Sequence, residues 1–225
     1  MGSGIRKKSG TAAAAGTART RVRRSPAAMA TLKREMLERA RRICRDEGAA
    51  GLSMRRMAQE FGLSTMALYS YFPNKQALLE GLWLEVFEAL LERLLPVSAG
   101  RRAPLKVLEA HARGLIGFWE ERADQFRMIY MSLQQTAGGD AVAMAEQPAY
   151  QKLVHLTRER VAACARGAAE PSEETLSLLA AQMVSKQLGY LLLALGVARY
   201  PLRDRDALRE RVVQDIVAGV VAGLG

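Results

Sequence analysis

"SMRRMAQEFGLSTMALYSYFPNK", residues 53–75, holds two short helical patterns separated by a single glycine. Ser53 is a good N-cap for a helix running to about Phe61, and Gly62 then supplies the positive φ that a tight turn between helices commonly needs. Ser64 caps the second helix, Pro73 stops it, and Asn74 opens a longer one. Count Met54 as the first position. Apolar Met57 is then fourth, small Ala58 fifth, Phe61 eighth, Gly62 ninth, Leu63 tenth, Leu68 fifteenth and Tyr71 eighteenth. Small and apolar residues thus fall wherever two closely crossing helices and their support must meet, which is the pattern of a helix-turn-helix. A plain helical hairpin can show the same pattern, so the surroundings have to decide.

Upstream, Met36, Leu37, Ala40, Ile43 and Cys44 fall at helical spacing with charges between them. Thr31 is the expected cap, Gly48 the expected stop, and Glu35/Arg39 and Glu38/Arg42 are supporting pairs one turn apart. Residues 1–28 lack any period of large apolar side chains and read as a disordered basic tail. Downstream, Leu78, Leu79, Leu82, Trp83, Val86, Leu90 and Leu94 trace one stripe as far as Pro96. Helical periodicity returns at about 105–121, 124–134, 148–167, 173–198 and 206–223, and no segment alternates with period two. The class is all-α, with about nine helices in three parts: the tail 1–28, a helix-turn-helix domain 29–76 and a helical domain 77–225.

Charge is divided unevenly among those parts. Residues 1–28 carry seven basic and no acidic side chains, residues 29–75 nine basic and five acidic, and residues 76–225 seventeen basic and eighteen acidic. The positive end calls for a polyanionic partner, and the near-neutral remainder has a separate task. Two distant cysteines, Cys44 and Cys164, and no hydrophobic leader suggest a reducing cytoplasm. The most apolar stretch, Leu178–Ala198, is interrupted by Gln182, Ser185, Lys186 and Gln187, so a buried helix is expected and no membrane partner. His111 and His155 have no cysteine or carboxylate at ligand spacing, and no catalytic triad or Gly-rich phosphate signature is present. No metal, cofactor or enzymatic activity is expected.

The wider stretch "AGLSMRRMAQEFGLSTMALYSYFPNKQALL", residues 50–79, resembles the DNA-binding signature of the TetR family of bacterial transcription regulators. The resemblance is specific over about residues 31–82. Beyond that it rests on helix number and length, with "GFWEERADQFRMIY" at 117–130 similar to a helix junction of many members. It implies that Thr65, Met66 and Ala67 open the helix entering the major groove, where Thr65 would bond a base or phosphate and the other two touch a thymine methyl. Arg55 is the candidate for a guanine or phosphate contact. Tyr69, Tyr71 and Lys75 match positions that hold the phosphate backbone, with Ser64 and Ser70 beside it. Tyr71 departs from the family pattern, where many members have His, although a phenol can still donate. The bland alternative makes each tyrosine a half-buried ring with a wet hydroxyl, and Met66 an ordinary surface residue.

A neutral helical domain attached to a reader suggests a switch, with the long helix after Asn74 as the link. Phe118, Trp119, Phe126, Tyr130, Met131, Tyr150 and His155, with Met128 and Met144 nearby, mix soft apolar surface with a few polar tips, as pockets between helices do. Cores draw on the same residue types. The last two helices carry apolar surface beyond the needs of one small domain: Leu188, Leu192 and Leu195, then Val213, Ile216, Val217 and Val220. The family implies a two-fold, four-helix interface there, that is, a homodimer. The expected function is a ligand-responsive regulator, a repressor released from a double-stranded DNA operator by an unidentified small-molecule effector. The alternatives are a helical carrier or enzyme of lipophilic molecules, and a nonspecific DNA binder driven by the tail. The first leaves Tyr69, Tyr71 and Lys75 without a role; the second leaves the C-terminal domain without one.

Overall fold

A computed structural model describes residues 25–98, 103–131, 145–165, 170–197 and 200–224. Within them the chain forms nine helices: α1 (Pro26–Glu47), α2 (Met54–Glu60), α3 (Thr65–Tyr69), α4 (Lys75–Leu94), α5 (Pro104–Glu121), α6 (Ala123–Phe126), α7 (Pro148–Ala162), α8 (Glu173–Leu191) and α9 (Arg205–Leu224). After α6 and α8 the backbone widens into π-type turns over Arg127–Met131 and Leu192–Gly196. The second of these closes with the Val197 amide on the Leu192 carbonyl.

The first helix starts earlier than its hydrophobic periodicity suggests. Ser25, not Thr31, is the N-cap, its hydroxyl accepting the Ala28 amide, and Pro26 occupies the first helical position, where its missing N–H costs nothing. The first turn and a half is exposed, so no apolar stripe announces it. Residues 26–28 thus belong to α1 with Ser25 as its cap, and the rest of the expected tail, 1–24, lies outside the described residues, as does Met144.

Helix α1 lies against α4, where Gly81 allows the close approach: a Cβ there would come within 2.8 Å of the Leu37 side chain. Arg41 on α1 pairs with Glu85 on α4. From there α4 runs on to pack against α5 and α7, while α9 packs on α8 and α5. One continuous apolar core links Met36, Met57 and Leu68 at one end to Trp119, Leu191 and Ile216 at the other. Glu120 on α5 ties the C-terminal helices together by accepting from the Tyr190 hydroxyl, from Arg205 Nε at 3.2 Å and from Arg209 Nη1 at 3.1 Å. Burial, and then this carboxylate, push the Tyr190 phenol up to about 12.

Candidate functional site

The turn between α2 and α3 is built by hydrogen bonds that need Gly62. Its φ is 59°, its amide donates to the Gln59 carbonyl at 3.1 Å, and the Leu63 amide donates to the Ala58 carbonyl at 2.9 Å. This pair of bonds is the Schellman closure of a helix, which requires a left-handed residue just past the cap. Ala58 is buried at the crossing, with Met57 and Leu68 beneath it. On the next turn Ser64 accepts the Ala67 amide at 3.1 Å, and Asn74 accepts the Ala77 amide at 2.7 Å to start α4.

Two arginines and two glutamates lock α2 onto α1, and periodicity alone does not reveal them. Glu60 receives a forked pair from Arg39 and a bond from Arg56 Nε, and Arg56 also clasps Glu47 through Nη1 at 2.5 Å and Nη2 at 2.6 Å. These hydrogen bonds hold the Glu47 and Glu60 carboxyls below the usual carboxylate range. The sequence clue is a Glu60 that lies four residues after Arg56 and faces an arginine on α1.

With that lock in place, α3 presents an exposed face. Met66 is 76% exposed and Tyr69 41%, and Thr65, Ser64 and Ser70 are exposed as well. Ala67, Tyr71 and Lys75 are half-buried, and Arg55 stands exposed on α2. The Ser70 hydroxyl donates to the Ala67 carbonyl at 2.6 Å, so its proton is already engaged, and Ser64 acts first as a cap. No acidic residue lies in the first turn of α2, α3 or α4, whereas α8 begins with Glu173 and Glu174. The helix starts on the α3 side therefore keep their partial positive charge, and Lys75 adds to it. Phe72 is buried beneath, with the Lys33 ammonium 5.2 Å from its ring centre.

Helices α4, α5, α7 and α8 line a cavity of about 420 Å³ that opens to solvent beside exposed Val154, Ala181 and Val184. Of the aromatics singled out above, Trp119, Tyr130 and Tyr150 line it. Phe118 and Phe126 do not: Phe126 stacks behind Trp119 and Tyr130, and Phe118 lies under the Arg122 guanidinium. Met131 is outside the lining, and His155 is on the outer face of α7, paired with Glu159 at 3.2 Å. Periodicity cannot say which side of a buried helix meets a cavity and which meets another helix. Gln187, buried on the core stripe of α8 and part of the cavity wall, carries no signal in the sequence beyond a polar interruption.

Behind Thr157 on the cavity wall lies a buried polar chain. Thr157 donates to the Leu153 carbonyl at 2.9 Å and meets His111 Nε2 at 3.2 Å. Arg160 donates to His111 Nδ1, and through Nη2 to the Leu94 carbonyl at 2.7 Å. His111 is therefore a neutral ring carrying its proton on Nε2, and burial, reinforced by the Arg160 charge, lowers its pKa to about 3. The Arg160 cation sits at the C-terminal end of α4, where the helix dipole favours it.

The interface residues divide. Val213, Ile216, Val220 and Leu195 are buried within the single chain and belong to its own core, because α9 turns that stripe toward α8 and α5. Leu188 and Val217 are half-buried, and Leu192 is exposed. Exposed Leu178 and Gly189 of α8 and exposed Leu192 and Leu193 of the turn after it fall on one flank by helical spacing, and Ala218 and Ala222 are exposed on α9. Glu173–Gly196 is the one described helical stretch long and apolar enough to cross a membrane, yet it packs on α7 and α9 and lines the cavity.

Comparison with known proteins places this architecture. Residues 36–82 match the family "Bacterial regulatory proteins, tetR family". Over 96 residues the chain is 40% identical to the HTH-type transcriptional repressor DrrR1 of Streptomyces coeruleorubidus, a match covering 43% of this chain and 34% of that protein. The chain thus spans about a third of that curated relative's length. A protein of unknown function from Rhodococcus sp. RHA1 superposes with a TM-score of 0.61 at 25% identity, over 86% of this chain and 95% of that one. AibR, solved in complex with isovaleryl coenzyme A and operator DNA, has the same fold, with a TM-score of 0.54 at 20% identity over 83% and 96% of the two chains. Residues 36–82 are thus similar to the DNA-binding segment of the tetR family of bacterial regulatory proteins, and the helical architecture around them is the fold of these solved neighbours.

Proposed function

We propose that this protein is a homodimeric transcription regulator in the cytoplasm, a repressor that leaves its DNA operator when a small molecule enters the cavity. The observation that carries the reading is the course of α4. Its N-terminal end sits beside α3 and brings Lys75, and its C-terminal part supplies Leu90 to the cavity and the Leu94 carbonyl to Arg160. One rigid element therefore touches both sites, which is what a coupling free energy between them requires. AibR, with its ligand and operator DNA, is a precedent in the same fold.

In this reading residues 26–76 form the reader and the remainder binds effector and partner. Thr65, Met66 and Ala67 face the bases, Arg55 a guanine or a phosphate, and Tyr69, Tyr71 and Lys75 the backbone. Exposed Leu178, Gly189, Leu192 and Leu193 with Ala218 and Ala222 form the dimer face. Gly189 fits this: its position is open within the single chain, so a partner helix could approach its backbone closely.

Footprinting on the DNA flanking the protein's own gene, followed by titration of variants, tests the proposal. Arg55→Ala is expected to cost about 1–3 kcal/mol of operator affinity, and Tyr69→Phe and Lys75→Ala about 1 kcal/mol each, with circular dichroism unchanged. Folded variants that all bind operator like the parent would overturn the assignment of α3 and its flanks as the reader.

A further inference from the structure

The cavity's chemistry says more about its ligand than that one exists. Its walls are chiefly apolar, with Leu90, Leu115, Trp119 and Leu153 among them. The polar groups that share those walls are mostly engaged: Thr157 with Leu153 and His111, Ser185 with the Ala181 carbonyl, and Arg158, the charged residue of the lining, with Glu173. Burial, reinforced by nearby Tyr150, raises the pKa of Tyr130, so it faces the cavity as a neutral phenol.

Among the lining residues, Gln187 is the one with buried polar atoms left unpaired. It is 1% exposed, and neither its Nε2 nor its Oε1 finds a hydrogen-bond partner among the described residues. A buried amide left unpaired forgoes the hydrogen bonds it had with water, so a native helix seldom keeps one without a use for it. Here one donor and one acceptor, held side by side on a planar group, lie just beneath the wall of a cavity whose charged residue, Arg158, is already paired with Glu173.

We propose that the cavity takes an uncharged, largely apolar ligand with a carboxamide or lactam head that pairs with Gln187 through two antiparallel hydrogen bonds. The ligand's C=O accepts from Nε2 and its N–H donates to Oε1. A carboxylate in the same place would set one oxygen against Oε1 and bury an unneutralised charge. A hydrocarbon would leave Gln187 unpaired. The volume suits a molecule of roughly twelve to twenty non-hydrogen atoms. This inference rests on the reading of the cavity as the effector site, and the test separates the two.

Isothermal titration of the full chain with phenylhexanamide, phenylhexanoate and hexylbenzene compares three molecules of nearly one shape. The amide is expected to bind about tenfold or more tightly than either analogue. Gln187→Leu should abolish that preference while retaining hexylbenzene, and Gln187→Met serves the same purpose if the leucine variant melts early. Equal or tighter binding of the carboxylate, an amide preference that survives in the variants, or no binding of any of the three at millimolar concentration would overturn the proposal. Operator release is measured alongside. An amide that binds through Gln187 and leaves the operator occupied defeats the regulatory reading and spares the site. Release by a charged effector, unchanged in Gln187→Leu, defeats this inference and spares that reading.

Discussion

Gly62 shows how much one residue can decide. Its φ of 59° lies where a side chain is strained, yet a Cβ there would meet nothing within 4 Å. Gly62→Ala should therefore act through backbone strain alone, lowering stability by about 1–2 kcal/mol and operator affinity only as far as α3 shifts. Urea unfolding of the variant checks the first, and a loss above about 3 kcal/mol would mean that the turn supports more than its own bonds. This residue was legible beforehand, since capping and turn chemistry are local: Ser53, Gly62, Ser64 and Asn74 all do what their side chains suggest. Arg56 was not, because its partner Glu47 lies on another helix and the pairing depends on the fold. Gln187 was missed for a related reason: its meaning lies in what surrounds it.

At the scale of helices, the chain from Thr157 through His111 and Arg160 to the end of α4 makes a pH prediction. His111 has a folded-state pKa of about 3 against its ordinary 6.5. Between those values the unfolded chain binds a proton that the folded chain refuses, so this residue's contribution is constant above about pH 7 and falls as pH drops from 6.5 toward 3. Chemical denaturation from pH 7.5 to 4 should show that decline, and His111→Gln should flatten it. An unchanged slope in the variant would assign the acid sensitivity to carboxylates such as Glu47 and Glu60 instead. Element positions were readable from periodicity to within a few residues, as with α5 and α9. The start of α1 was not, because a proline-led, solvent-exposed first turn carries no apolar signature. Nor does periodicity say which of two neighbours an apolar stripe faces, which is why Phe118 and Phe126 turn away from the cavity and Ile216 turns inward.

For the whole molecule, that inward turn changes what a mutation at the dimer face should do. Ile216→Asp or Val220→Asp buries a carboxylate in the chain's own core and is expected to unfold it, not to release intact monomers. Leu192→Glu, on the exposed flank just past α8, should instead give folded monomers with weakened operator binding, by light scattering and circular dichroism together. A Leu192→Glu protein that stays dimeric would move the interface to another face. The mechanics of α4 have a further consequence. From Lys75 to Leu90 the helix is an unbroken arm of about 22 Å, at 1.5 Å per residue. A tilt of about 5° at the cavity therefore moves the Lys75 end by about 2 Å, several times the positional tolerance of a hydrogen bond. In the two-fold assembly proposed above both arms would swing, and their ends would have to meet DNA whose half-sites repeat about every 34 Å. On the proposed reading a ligand need not unfold or displace anything to be felt at the operator: angular play of a few degrees, multiplied by the length of one helix and doubled by symmetry, is enough to put two reading heads out of step with the groove.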